Sequence, residues 1–545
     1  MSNSMGDVAD YALAFFVIGS NTTEQHPVFG SRLRQAVLRR GAKLVVADPR
    51  RIDLAEFAVP KYGGIHLRHR PGTDIALING LMHIILKRGW EDENFITSRT
   101  EGYDEFEKSL VNYPPEKVGE ITGVPVGELM KAAEILAVNH PMAVIWAMGI
   151  TQHIVGVRNV ITLANLQMLL GNMGVPGGGV NPLRGQNNVQ GACDMGGLPN
   201  VFTGYQNISD NVVRNKFESA WGVDLPEKIG LTVTEMIPSI ETGKVRALYI
   251  LGEDPVTSDP NSNHIRKCLE KCEFIALQEI FLSETSHYAD VILPGVSFAE
   301  KTGTFTNTER RIQMCRKAIE PLGDARPDWQ ITVALAKRII SIGSRKINPS
   351  PVSGWDYPDT GAAMNEISMI TPTYAGVSHE RLEEMEQLQW PVWDKKHPGT
   401  PILHIGEFTR GKGKFFPIDH IPPAELPDDE YPVLLSTGRV LYHWHGGQMT
   451  RRAKGLIGIY NKPLVEINPE NALQWRVKDG MSLRITSRRG NIEAVAWVTD
   501  RVPPGMVYAN FHFPESGVNT LTHASLDPVA KIPEYKISAV RVEII

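Results

Sequence analysis

The chain has 545 residues and a mass of 60.4 kDa, with 56 Lys and Arg against 61 Asp and Glu, a net charge of −5 and a pI near 6.4. That length, several times the roughly 100–200 residues of one domain, predicts about three folded units and excludes a small binding module. The near-balanced charge excludes attachment to nucleic acid or membrane by bulk electrostatics, and 42% hydrophobic with 21% charged residues excludes a disordered or fibrous chain.

From the amino end, LAFFVIGSN is a continuous apolar run, residues 27 to 40 have helical spacing with Pro27 in the first turn and Gly41 as a C-cap, and KLVVADPR is a second apolar run. This is a βαβ unit. Residues 74 to 89 read as an amphipathic helix, MAVIWAMG as a buried strand and residues 157 to 171 as a further helix, which completes a doubly wound α/β domain over 1–186. A second alternation follows in VRALYILGEDP, a helix over 263–271, FIALQEIF and DVILP, and the expected second α/β domain spans 187–416. Beyond Gly343 the pattern becomes irregular, and residues 350 to 425 are rich in Pro, Gly and Trp and predict long surface connections. From Tyr431 the runs YPVLLSTGR, LVEINP, SLRITSRRGNIEAVAWVT and GMVYANF alternate apolar and polar residues, so 417–545 is expected to be a mostly antiparallel β-barrel.

Cys193, Cys268, Cys272 and Cys315 are too few and too scattered for a disulfide scaffold, which points to a reducing, cytoplasmic compartment. Cys268 and Cys272 lie one helical turn apart but lack two further nearby ligands for a zinc or iron–sulfur site, and read as free thiols. The longest apolar stretch, Tyr11 to Gly19, falls short of the roughly 20 residues that span a bilayer, so no transmembrane segment is expected.

The strand ends carry the first chemical signal. Gly19-Ser20-Asn21 and Asp48-Pro49-Arg50 close strands in the first half, and Gly252-Glu253-Asp254-Pro255 and Gln278-Glu279 do so in the second. In open α/β sheets ligands bind beyond the carboxyl ends of strands, where glycine admits a pyrophosphate and a carboxylate accepts from a ribose or a guanine edge. Repetition in both halves points to two nucleotide-like ligands, while the missing GxGxxG fingerprint leaves ordinary NAD binding unsupported. The densest polar cluster is NPLRGQNNVQGACDMG, residues 181 to 196, which reads as irregular loop. Its Arg184 has the forked donors that suit a small carboxylate or another oxyanion, and the flanking amides suit a polar cavity. His443 and His445 in YHWHGGQMTRR alternate on an expected strand end and read as packing or cofactor-bonding groups rather than metal ligands. His66 and His69 in HLRHR read as surface residues.

The run Arg184-Gly185-Gln186-Asn187-Asn188-Val189-Gln190-Gly191-Ala192 resembles the signature of molybdenum- or tungsten-dependent formate dehydrogenase catalytic subunits. IGSNTTEQHP, VVADPRR, SRTEGYDEF, AMGITQH, LGEDP, ADVILPG, GTFTNTERRIQ, LSTGR and PEYKISAVRVE extend the similarity from end to end. The resemblance implies two α/β domains that each grip one molybdopterin guanine dinucleotide, capped by a carboxy-terminal β-barrel of double-psi type. It assigns Asn21, Asp48, Arg50, Gly72 and Asp74 to one dinucleotide and Gly252, Asp254, Ser258, Gln278 and Glu279 to the other. Met148 and Gln152 fall near the pterin, and Arg439, His443, Asn519, Tyr535 and Lys536 would complete the cofactor seal from the barrel. Arg184 matches the arginine proposed to orient formate, with Gln186 beside the same pocket.

The implied reaction is two-electron oxidation of formate to carbon dioxide, with iron–sulfur or flavin subunits as electron partners. MSNSMGDVADY resembles the segment just after the family's metal-binding cysteine or selenocysteine, so the chain is expected to start downstream of that ligand. A selenocysteine codon read as stop is one explanation. On this reading the 4Fe-4S cluster and any export signal belong to an upstream portion, and the chain alone is expected to be inactive. Two alternatives stay open from the residues: another molybdopterin oxidoreductase, such as a nitrate reductase-like enzyme, and a non-catalytic redox scaffold that keeps the fold.

Overall fold

A computed structural model describes residues 1–343, 355–385 and 388–545. Its chain contacts divide into two compact units, one formed by Met1–Gly185, Pro255–Arg266 and Ile402–Ile545, the other by Gln186–Asp254 and Lys267–Pro401.

The first unit opens with a five-stranded sheet made of β1 (Ala14–Ile18), β2 (Lys43–Ala47), β3 (Ile65–Leu67), β4 (Met142–Trp146) and β5 (Val180–Pro182). The order is β3-β2-β1-β4-β5 and every pairing is parallel. β1 and β4 are buried along their whole length because both faces are covered. Successive side chains point to opposite faces, and the two cores divide accordingly. Phe16, Ile18, Val45, Ala47, Val144 and Trp146 pack with Leu77, Leu81, Leu129 and Leu163 of the helices Asp74–Arg88, Val126–Val138 and Gly156–Leu169. Phe15, Val17, Leu44, Val46, Ala143 and Ile145 pack on the other face with Val8, Phe29 and Leu33. The helices form where the sequence predicts them. Pro27–Gln35 begins on proline and, after one wider turn to Arg40, stops at Gly41 (φ 72°), while Asp74–Arg88 stops at Gly89 (φ 64°).

In the second unit, β6 (Ala247–Leu251), β7 (Phe274–Glu279) and β8 (Val291–Pro294) form a parallel sheet of order β8-β7-β6. Beside it lies an antiparallel trio of Gly303–Thr306, Arg311–Cys315 and Leu388–Gln389. The stretch expected to be surface connections contains the helices Thr360–Ile370 and His379–Glu384, and residues 350–354 and 386–387 of it lie outside the described chain. Local capping explains the helices: Asp359 accepts from the Ala362 N–H and Ser378 from the Arg381 N–H, a signal masked by the surrounding Pro and Trp. The polar run 181–196 likewise contains a helix, Val189–Asp194, entered through Asn188 in the left-handed region (φ 61°).

The carboxy-terminal part of the first unit is a closed six-stranded barrel. It contains β9 (Val433–Gly438), β10 (Leu464–Ile467), β11 (Ser482–Ser487), β12 (Gly490–Val498), β13 (Met506–Asn510) and β14 (Ser538–Ile544). Two of its pairings, β9 with β13 and β10 with β12, are parallel, and the other four are antiparallel. Leu435, Val465, Ile467, Leu483, Ile485, Val507 and Val540 fill the interior. Residues 441–449, expected to prolong a strand, are turns, with Gly447 (φ 79°) and His445 (φ 44°) both outside the extended region. The four cysteines are free, and among the described residues no helix is long and apolar enough to cross a membrane.

Candidate functional site

Strand order in the first sheet reverses between β1 and β4, so the loops leaving these neighbouring strands diverge and open a crevice at their carboxyl ends. Gly19 (φ 54°) makes the first turn. A Cβ there would stand 2.7 Å from the Ile150 amide nitrogen, and a Cβ on Gly149 would collide with the Gly19 carbonyl oxygen. The Gly149 N–H donates to that carbonyl at 2.9 Å. Two glycine backbones in direct contact thus form the crevice floor.

The cleft that rises from this floor is open to solvent, with about 1060 Å³ of non-protein space counted out to and including its open mouth. Its walls include Asn21, Asp48, Arg50, Gly72, Asp74, Met148, Gln152, Arg439 and Lys536, nine of the residues singled out from the sequence. All of them belong to the first unit. Leu183 and Gly185 also line it, and Arg184 between them is anchored by its carbonyl, which accepts from His26 Nε2 at 2.7 Å. A Cβ on Gly185 would stand 2.7 Å from Arg439 Nη2, so the glycine leaves the space that the guanidinium head occupies.

Several groups here have no protein partner. Both ends of the buried Asn21 amide, His26 Nδ1 and His69 Nδ1 make no hydrogen bond. A buried polar group left unpaired costs about 1–3 kcal/mol, so the cleft is built for a ligand that carries both donors and acceptors. Because His26 gives its Nε2 proton to a carbonyl and burial lowers its pKa, its Nδ1 presents a bare acceptor. These features fit a polar, nitrogen-rich and phosphate-bearing group.

The electrostatics point the same way. Arg50, although buried, is held well above its ordinary range by a bidentate pairing with Glu466 that outweighs desolvation; its Nε donates to Glu466 at 2.7 Å. Arg439 and Lys536 are not paired in this way, although the Asp48 charge acts on Lys536. Burial lowers Arg439 to about 10, and burial with the nearby Arg439 charge lowers Lys536 to about 8. Burial also pushes the Asp48 carboxyl up. Deeper in, His69 Nε2 faces Asp74 Oδ1 at 3.2 Å, and their mutual charge overcomes burial, raising His69 and lowering Asp74. His69 is 2% exposed, which corrects the expectation that it lies on the surface: its partner carboxylate pays for the buried charge. His66 is half-buried, donates to the Asp48 carbonyl at 2.9 Å and is lowered by burial to about 4.

An amine at about 8 gives a signed expectation. Lys536 is cationic below that value and loses its charge above it, so affinity for a multiply charged anion should fall as pH rises past about 8. Lys536→Met should remove that inflection. Stability should move oppositely: between about 8 and the unfolded value near 10.4 only the unfolded chain binds this proton, so folding gains as pH rises. Anion titrations across pH 6–10 and urea midpoints over the same range check both signs.

The remaining expected residues sit elsewhere. His443 is buried, with Nε2 donating to the Tyr460 carbonyl at 2.6 Å and Nδ1 3.2 Å from Thr450 Oγ1, away from the cleft lining. Asn519 donates to the Thr257 and Ser258 carbonyls (2.8 and 3.2 Å), and Tyr535 Oη donates to the Ser258 carbonyl at 2.9 Å. In the second unit the Gly252 N–H donates to the Gln278 carbonyl at 2.9 Å, and Asp254 Oδ1 accepts from the Thr285 hydroxyl and N–H (2.6 and 3.0 Å). The Gln278 amide donates to Asp328 at 2.7 Å and accepts from Tyr249 Oη, while burial raises Glu279, which accepts from the Ile280 N–H at 2.7 Å. Gln186 is exposed at the start of the second unit. His26, His69, His153, Glu466 and Tyr508 went unassigned in the sequence. His26 and His153 stand inside the quoted IGSNTTEQHP and AMGITQH runs, which is the signal that marked their neighbourhood.

Comparison with known proteins now adds to the geometry. The family profile Molybdopterin oxidoreductase matches residues 1–338, and the profile Molydopterin dinucleotide binding domain matches residues 433–539. The chain is 44% identical over 546 residues to the F420-dependent formate dehydrogenase subunit alpha of Methanocaldococcus jannaschii, matching 100% of this chain and 78% of that protein. It is 38% identical over 549 residues to Formate dehydrogenase H of Escherichia coli, matching 74% of that protein. Among solved structures, acetylene hydratase from Pelobacter acetylenicus superposes with a TM-score of 0.74 at 19% identity, covering 99% of this chain and 78% of that one, a likeness of fold.

Proposed function

Because the chain belongs to the molybdopterin oxidoreductase family, we propose that it is the formate-oxidising alpha subunit of a formate dehydrogenase. The reaction is HCOO− → CO2 + H+ + 2 e−. When bound, a molybdopterin group carrying molybdenum or tungsten supplies the two-electron acceptor that side chains lack. Asn21, His26, Asp48, Arg50, Gly72, Asp74, Met148, Gln152, Arg439 and Lys536 would hold one guanine dinucleotide form of that group in the cleft. Gly252, Asp254, Gln278 and Glu279 of the second unit would serve a second.

Arg184 is assigned to the substrate. The observation that carries this is its seating: His26 fixes its carbonyl, and both neighbours in sequence line the cleft. A guanidinium at that rim binds the single negative charge of formate bidentately, and a Lys ammonium in its place would lack the fork. Gln186 would add an amide donor near the same anion. Electrons would leave through iron–sulfur or flavin subunits.

The test is protein purified from a host that makes the pterin, assayed for bound pterin, for molybdenum and tungsten, and for formate-dependent dye reduction. We expect pterin and one of the two metals, with dye reduction by formate and not by nitrite or other small oxyanions. Protein without pterin would overturn the reading, and pterin-loaded protein inert to formate would overturn the substrate.

A further inference from the structure

Beneath the cleft lies a buried carboxylate that the reaction above does not use. Glu534 is 1% exposed and stands in the Pro533-Glu534-Tyr535-Lys536 segment that brings Lys536 to the cleft wall. Two backbone donors fix it, Ile154 N–H on Oε1 (3.3 Å) and Ala424 N–H on Oε2 (3.0 Å). Two imidazoles bracket it, His153 Nδ1 at 3.6 Å from Oε1 and His523 Nε2 at 3.4 Å from Oε2.

The second bond of each ring tells them apart. His523 Nδ1 accepts from the Ser525 N–H at 3.3 Å, its Nε2 stands 3.4 Å from Glu534 Oε2 without a hydrogen bond, and burial lowers this histidine's pKa. His153 Nε2 donates to the Gly149 carbonyl at 2.9 Å, and its Nδ1 stands 3.6 Å from Glu534 Oε1 without a hydrogen bond. Beyond the trio, Asp74 feels the His153 charge, His420 feels that of Asp74, and Glu425 and Arg489 act on His523. Burial opposes the Glu534 charge, yet the His153 contact and the backbone donors outweigh it and hold its carboxyl below the ordinary range.

We propose that Glu534 is a positioning residue, a buried carboxylate clasp that the Ile154 and Ala424 N–H groups hold between the His153 and His523 rings, and that it fastens the 533–537 segment and so holds Lys536 in the cleft. The same segment is tied at Thr437, whose hydroxyl donates to the Tyr535 carbonyl at 2.9 Å and whose carbonyl accepts from Lys536 Nζ at 2.6 Å. The segment's start is also tied through its backbone, where the Glu534 N–H donates to the Ser525 carbonyl at 3.1 Å, and the Glu534 side chain adds the links to Ile154 and Ala424. That Lys536 is held there for a dinucleotide rests on the function proposed above; that Glu534 holds it does not.

The experiment reads the Lys536 amine directly, by trace acetylation with acetic anhydride over pH 6–11 and mass spectrometry of its peptide. In the native chain the midpoint is expected at about 8. In Glu534→Gln it should move toward the solvated value of about 10.4, and pterin retained per chain after loading should fall at least fivefold. His153→Gln, which keeps the carboxylate and both backbone donors, should move the midpoint the same way by less, and decides the matter if Glu534→Gln does not fold. A midpoint unchanged in the folded variants would overturn the proposal. A native chain without pterin would end the functional reading and leave the acetylation result standing.

Discussion

Arg184→Ala is expected to lower kcat/KM for formate by about 30-fold to several thousand-fold, because losing one partner of a hydrogen-bonded charge pair costs roughly 2–5 kcal/mol and 1.4 kcal/mol is a factor of ten. The loss should fall mainly on KM if the guanidinium binds ground state and transition state alike, and on kcat if it tightens only as the C–H bond breaks. Pterin and metal content should stay at the native level, since the backbone carbonyl that His26 holds survives the substitution. Arg184→Lys should recover only part of the loss, a point charge replacing a fork. Steady-state kinetics on cofactor-matched preparations decide it, and unchanged constants would remove Arg184 from the substrate's path.

Glu466→Ala carries the largest expected effect on stability. Arg50, at the end of β2, and Glu466, on barrel strand β10, form an ion pair whose side chains are 6% and 3% exposed. Removing one member of such a pair strands a charge in the interior and costs about 3–5 kcal/mol. Arg50 also stacks over the Tyr508 ring at 4.4 Å, so it cannot simply swing out to water. The unfolding free energy should drop by that amount, read as a lower urea midpoint at unchanged slope. Replacing both, as Arg50→Met with Glu466→Leu, should restore much of it, because no bare charge remains. Anion binding in the cleft should fall in the double variant even so, since Arg50 lines the wall.

The two variants bear on how much could be read in advance. Asn21 and Asp48 were visible because each follows a strand and sits among turn formers, a local signal. The apolar runs announced β1 and β4 but hid which residues served which face, since a strand buried on both sides has no polar alternation. Glu466 was invisible. It lies 416 residues from Arg50, inside a strand of otherwise apolar neighbours, and pairings of that separation leave no spacing to detect. His69 was misread for the opposite reason: the polar density of HLRHR looks solvent-facing, although Asp74 five residues on supplies the carboxylate that lets it be buried. The turns at 441–449 were missed because Tyr and Trp favour strands locally and the conformation there is decided by Gly446-Gly447 and by packing.

The cleft draws its walls from positions as far apart as Gly19 and Lys536, and its last strand, β14, ends at Ile544. Ribosomes add about 5–20 residues per second. For roughly 20 to 70 s between the addition of Pro182 and that of Lys536 the amino-terminal sheet therefore exists with a receptacle lacking one side. A large prosthetic group can therefore meet all of its walls only once Lys536 is in place, and until then the sheet offers it a hollow open on one side.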